Sequence, residues 1–230
     1  MTLQQYEKKR EERIKRVIKL MEAGVEFADI DTAFIGEDVK IGPGTYIGPC
    51  VTLEGNTEIG ENCKILQNTR INDGKVGDRT VIESSVILES SVGSDTSVGP
   101  FAYIRPGSKV GSECKVGDFV ELKNATLGNG TKSAHLTYIG DADVGEKVNF
   151  GCGVVLVNYD GTKKYRSEIG DGCFVGCNVN LVSPVKIGDR AYLAAGSTIT
   201  EDVPEDALAI ARSRQTNIEK WAEKSGLYRK

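Results

Sequence analysis

Large side chains are scarce in this chain of 230 residues, which contains one tryptophan, two methionines and six phenylalanines. So few of them cannot fill an ordinary globular core. No stretch approaches the roughly 18 apolar residues needed to cross a bilayer. The opening MTLQQYEKKREERIKR lacks the apolar segment of a secretion signal. A soluble, cytoplasmic protein without membrane contact is expected. Excess positive charge is also missing: the net charge is −4 and the pI about 5.3, which excludes a sequence-independent grip on nucleic acid. The six cysteines include no CxxC pair of zinc-site spacing, so they are read as reduced thiols and no metal is expected.

Glycine is abundant, at 27 residues. From Ile35 the chain reads IGEDVK, IGPGTY, IGPCVT, LEGNTE, IGENCK, and later VGSDTS, VGPFAY, IRPGSK, VGSECK, VGDFVE. An aliphatic anchor opens each six-residue unit, glycine or a small polar residue often follows, and a small or β-branched residue takes the fifth place. This is a hexapeptide solenoid, in which three units make a triangular coil and stacked coils bury the anchors. Five-residue units such as LKNAT and IGDAD, and two more between Val81 and Ser91, tighten individual corners. After the anchor Leu156, VNYDGTKKYRSE delays the next anchor, Ile169, by seven residues beyond a hexad, so a loop leaves the coil there, as binding loops of solenoids do.

Ahead of the repeat, Ile14, Val17, Ile18 and Met21 recur at helical spacing among charges. The expected organisation is an amphipathic helix over 1–25, a β-helix over 30–204 and an extended or weakly helical tail over 205–230.

Residues one coil apart lie over each other at about 4.8 Å, so chemistry in a solenoid is arranged in columns. With Ser133, Phe150, Val175 and Leu193 as successive anchors, the residues two places on are His135, Cys152, Cys177 and Ala195, which share one edge. His135 is the one histidine in the chain, and imidazole suits proton transfer near neutral pH. Glu121 and Tyr138 take the sixth place of consecutive coils and are expected to stack on the same face beside His135, with Glu121 orienting the ring. A second column follows the anchors Ile104 and Leu122 with Arg105 and Lys123. Two cations on adjacent rungs suit an anion such as phosphate between them; solvated surface cations are the plainer reading of an arbitrary pair, but both replace the usual glycine, which favours the anion. Cys63, Cys114 and Cys173 take the inward fifth place as packing thiols. Cys152 and Cys177 fall within disulfide reach, but a reducing compartment argues against a native bridge.

The strings FAYIRPGSKVG, FVELKNATLGNGTKSAHLTYIGDADVGEKVNFGCG, VNYDGTKKY and ALAIARSRQ resemble the C-terminal acetyltransferase domain of the bacterial bifunctional N-acetylglucosamine-1-phosphate uridyltransferase and glucosamine-1-phosphate N-acetyltransferase family. The resemblance runs from about Met21 to Trp221. It implies a left-handed parallel β-helix, a homotrimer, and N-acetylation of glucosamine 1-phosphate by acetyl-CoA as part of UDP-N-acetylglucosamine biosynthesis. It further implies His135 as general base supported by Glu121, Arg105 and Lys123 on the sugar phosphate, and Tyr138, Asn149 and Lys164 positioning the sugar. Cys152, Asn158, Tyr159, Cys177, Ala195 and Arg212 would contact acetyl-CoA. Cys152 stands where the family commonly has alanine. Cys177 stands where it has a serine thought to assist the oxyanion or the departing thiolate, and a thiol is the weaker donor. Asn124 replaces what is often a second lysine. No glycine-rich nucleotide loop occurs before Ile35, so uridylyl transfer and its magnesium site are not expected, and a separate uridyltransferase would be a partner. The competing readings are a hexapeptide acyltransferase for another amino-sugar or hydroxyl acceptor and a catalytically weak hexapeptide scaffold. The zinc carbonic anhydrase on the same solenoid needs several histidines, which this chain lacks.

Overall fold

A computed structural model describes residues 1–226. Helix α1 spans Leu3–Glu22 and opens with a capping box, in which the Thr2 hydroxyl accepts from the Gln5 amide while the Gln5 side chain accepts from the Thr2 amide. Beyond Glu26 short parallel strands stack into a three-faced solenoid. One face is an eleven-stranded sheet from Glu26–Phe27 to Leu208–Ala209. The other two are joined into one seventeen-stranded sheet because the strands Glu121–Leu127 and Tyr138–Val144 run unbroken round a corner. The hexapeptide pattern fits a left-handed β-helix.

The anchors stack as their spacing requires. Ile35, Leu53, Ile71, Ile87, Ile104, Leu122 and Ile139 pair rung on rung, and all are buried. At about 25 cal/mol per Å² of apolar surface removed from water, this continuous column is the main source of cohesion. The inward fifth place carries small groups that also bond the backbone. Cys63, Cys114 and Cys173 are buried there, with Sγ 3.1, 3.2 and 3.0 Å from the carbonyls of Gly77, Gly128 and Gly188. Burial pushes all three thiols above their ordinary range, which makes them unreactive packing groups.

Helix α1 lies against the first coil. Val17 is fully buried, Arg13 sits 4.4 Å over the Phe34 ring, and the same guanidinium donates to the carbonyls of Asp31 and Ala33. At the other end the chain leaves the ladder after Ala209, and a single helical turn, α2, spans Trp221–Lys224. Residues 227–230 of the expected tail lie outside the described residues. No helix among the described residues is long and apolar enough to cross a membrane.

Candidate active site

The register places Ser133 over Val116, Phe150 over Ser133, Val175 over Phe150 and Leu193 over Val175. His135, Cys152, Cys177 and Ala195 therefore follow one another up a single edge. Ser133, an unusual anchor, is fully buried, and its hydroxyl has no partner among the described residues. His135 projects from the edge with its side chain 59% exposed. Cys177 and Ala195 are exposed and Cys152 is half-buried, both thiols being free. Arg212 reaches the top of this column, its Cδ 3.7 Å from where a side chain on Gly196 would begin.

The histidine is held from below. Its Nδ1 lies 2.7 Å from Asp118 Oδ1, and Asp118 is its direct partner across the ladder. That contact, together with the residue's own amide, holds the Asp118 carboxyl below its ordinary value of 3.8. Within the chain Glu121 makes no hydrogen bond to the ring among the described residues. The chain turns corners at Phe119 and Leu136, where φ is 56° and 46°, so Glu121 and Tyr138 stack on each other on the next face rather than beside His135. The Glu121 carboxylate accepts instead from Arg105 Nη1 at 2.8 Å.

Arg105 and Lys123 do stand on adjacent rungs, following the paired anchors Ile104 and Leu122, but neither is an unpaired surface cation. Lys123 Nζ donates to both oxygens of Asp141 at 2.8 Å. Asp141 is buried in a left-handed corner conformation, φ 49°, and also accepts from Asn124 Nδ2 at 2.7 Å and Asn158 Nδ2 at 2.6 Å. Burial alone would raise its carboxyl, yet these three donors outweigh that and leave it below 3.8. Each cation thus has a carboxylate within the chain, which relieves the repulsion that the sequence seemed to assign to a bound anion. Arg105 remains 41% exposed and engages Glu121 through one of its nitrogens, so further guanidinium donors stay available.

The inserted loop is tied to the same cluster at its base. Asn158 is buried and approaches Tyr138 Oη at 3.5 Å, while Arg166 returns to the Asp143 carboxylate and the carbonyls of Asn124 and Ala142. At the tip Asp160 accepts from the amides of Lys163 and Thr162 and from the hydroxyls of Thr162 and Tyr165. Those donors drive its carboxyl far down. Tyr159 and Lys164 face each other across the loop and are exposed. Asn149 sits over Lys132 at the far end of the strand bearing His135. Neither Asn149 nor Lys164 has a side-chain bond to His135 among the described residues.

Asp118 and Asp141 are the two residues that the sequence reading missed. Starting the His135 column one coil earlier, at Val116, would have produced Asp118. IGDAD holds two acids, Asp141 and Asp143, and their spacing alone does not say that Asp141 meets Lys123 while Asp143 meets Arg166.

A stacked parallel solenoid with hexad anchors defines a hexapeptide-repeat protein, and residues 38–73, 89–124 and 166–201 match the bacterial transferase hexapeptide (six repeats). The chain belongs to that family. It is 55% identical over 212 residues to the bifunctional protein GlmU of Clostridium botulinum (strain ATCC 19397 / Type A), covering 92% of this chain and 46% of that protein. It is 56% identical over 219 residues to the bifunctional protein GlmU of Clostridium beijerinckii, covering 94% and 48%. The chain therefore spans about half the length of these relatives. Among solved structures, the UDP-N-acetylglucosamine acyltransferase of Francisella novicida shares the fold, with a TM-score of 0.50 at 18% identity over 85% of this chain and 72% of that one.

Proposed function

We propose that this chain transfers the acetyl group of acetyl-CoA to the amine of glucosamine 1-phosphate, giving N-acetylglucosamine 1-phosphate and free CoA. The observation that carries the reading is the edge column: an exposed imidazole, fixed through one ring nitrogen and open at the other, heads a track of small residues ending beside Arg212. Similarity to the bifunctional GlmU proteins over more than nine-tenths of the chain supplies the substrate class.

In this mechanism the open nitrogen of His135 takes a proton from the sugar amine as the amine attacks the thioester carbonyl. The carbon–nitrogen bond forms, the carbon–sulfur bond then breaks, and the thiolate leaves to be protonated. Arg105 offers its remaining guanidinium donors to the sugar phosphate. Lys123, held by Asp141, contributes positive field at shorter reach. The acyl donor lies along Cys152, Cys177 and Ala195, with its anionic part toward Arg212 and further contacts from Asn158 and Tyr159. Tyr138, Asn149 and Lys164 position the sugar once subunits assemble. Cys177 faces the reacting carbonyl as a weak donor.

The test is formation of N-acetylglucosamine 1-phosphate from acetyl-CoA and glucosamine 1-phosphate, followed by a product assay that does not depend on thiols. His135→Ala is expected to lower kcat by about 10²-fold or more, the usual contribution of a general base, while acetyl-CoA still binds. Binding without product in the unaltered protein would favour the scaffold reading, and product from a different amino sugar would reassign the acceptor.

A further inference from the structure

We infer that Asp118 is the positioning residue of the base: it fixes the tautomer of His135 so that the outer ring nitrogen carries the lone pair. This rests on the function proposed above only for its consequence in turnover, since the dyad itself is a matter of geometry. Asp118 and His135 are cross-rung partners in the ladder, and their side chains meet at 2.7 Å between Oδ1 and Nδ1. The carboxyl of Asp118 is held below its ordinary value, first by this contact, so at neutral pH it is ionised. An ionised carboxylate only accepts, so the proton in this bond must reside on Nδ1. Nε2 is left as the acceptor, and it has no partner among the described residues. When Nε2 takes a proton during reaction, the carboxylate faces the new imidazolium directly.

The backbone makes the arrangement rigid. Gly117 and Ala134, which precede the two residues, approach so closely that a methyl group on Gly117 would lie 2.0 Å from the Ala134 carbonyl oxygen. Glu121, the other carboxylate in the region, is occupied by Arg105 around the corner. On the dyad's own two rungs the cations are Lys115, which acts weakly on Asp118, and Lys132, stacked directly above Lys115. The free thiol of Cys152 continues the edge one coil further on.

Because the protein has one histidine, its ring nitrogens can be followed without assignment. Long-range ¹⁵N–¹H spectra of the full chain, recorded where the imidazole is neutral, are expected to show the Nδ1–H form. Asp118→Ala should shift the ring toward the Nε2–H form, and Asp118→Asn, which keeps an acceptor oxygen, should restore part of the original pattern. In parallel, kcat of Asp118→Ala should fall roughly ten- to a hundredfold, a fraction of what a general base supplies, with KM for both substrates within about twofold and partial recovery in Asp118→Asn. An unchanged tautomer in Asp118→Ala overturns the positioning role, and so does a shifted tautomer with unchanged kcat. A wild-type protein that shows the Nδ1–H form yet makes no product would overturn the functional reading and leave the dyad standing.

Discussion

From a buried corner, Asp141 holds three side chains of the site, Lys123, Asn124 and Asn158. Replacing it by Asn removes a charge that the half-buried Lys123 ammonium faces, and hydrogen bonds to charged groups contribute about 1.5–3 kcal/mol each. Asp141→Asn should therefore lower Tm at pH 7 by on the order of 5 °C, taking about 2–4 °C per kcal/mol for a chain of this size. The pH dependence has a definite sign. The folded carboxyl titrates below its ordinary 3.8, so the unfolded chain binds the proton more readily. The stabilisation is then fully present above that ordinary value and is lost as pH falls through the folded one. Thermal scans should show the gap between wild type and variant closing below about pH 4, and a gap independent of pH would contradict the ion-pair account.

At the scale of the strand, the structure turns on close backbone approach rather than on side-chain bulk. Gly117→Ala must displace the Ala134 carbonyl that its methyl would overlap. That shift separates the rungs bearing Asp118 and His135, at a cost of about 1–3 kcal/mol by analogy with overpacked cores. Both a lower Tm and a loss of the Nδ1–H signal are expected in the same variant. Much of this level was legible in the sequence. The anchors, the inward cysteines, the loop after Leu156 and the edge column all follow from counting by sixes and fives, because a solenoid repeats one address system along its length. What the count could not supply was pairing across corners. Hexad position indicates which residues share a column, but the direction in which Arg105 and Glu121 lean depends on rotamers and on neighbouring charge. The turns at Phe119 and Leu136, which put Glu121 and Tyr138 on the face after the histidine's, depend on residues in a conformation with no sequence mark. Asp118 was legible in principle, one coil below the point where the column was begun.

For the whole molecule, the edge that carries His135 is open to solvent along its length, and an exposed apolar stripe flanks it. Phe101 and Phe119 stack at 5.6 Å between ring centroids, and both are exposed together with Leu136. Further up, Phe174 and Tyr192 stack at 4.6 Å and are likewise exposed. Aromatic ladders on this corner and on the face beside it suit a cyclic assembly in which copies close the donor track between them. The proposed homotrimer predicts sedimentation as three copies of the 24.8 kDa chain. Phe119→Asp should shift that boundary toward the single chain, and an unaltered boundary would place the contact elsewhere.

The contact between α1 and the first coil bears on a different hazard. A stack of parallel rungs has no intrinsic stopping point, since each rung presents to the next the same pattern of amides and carbonyls that holds the layers together. An uncovered terminal rung is therefore a template, open to strands of other molecules in the manner of a growing fibril. By burying Val17 against the first coil and donating Arg13 to the carbonyls of Asp31 and Ala33, the helix blocks part of that end of the ladder from such pairing.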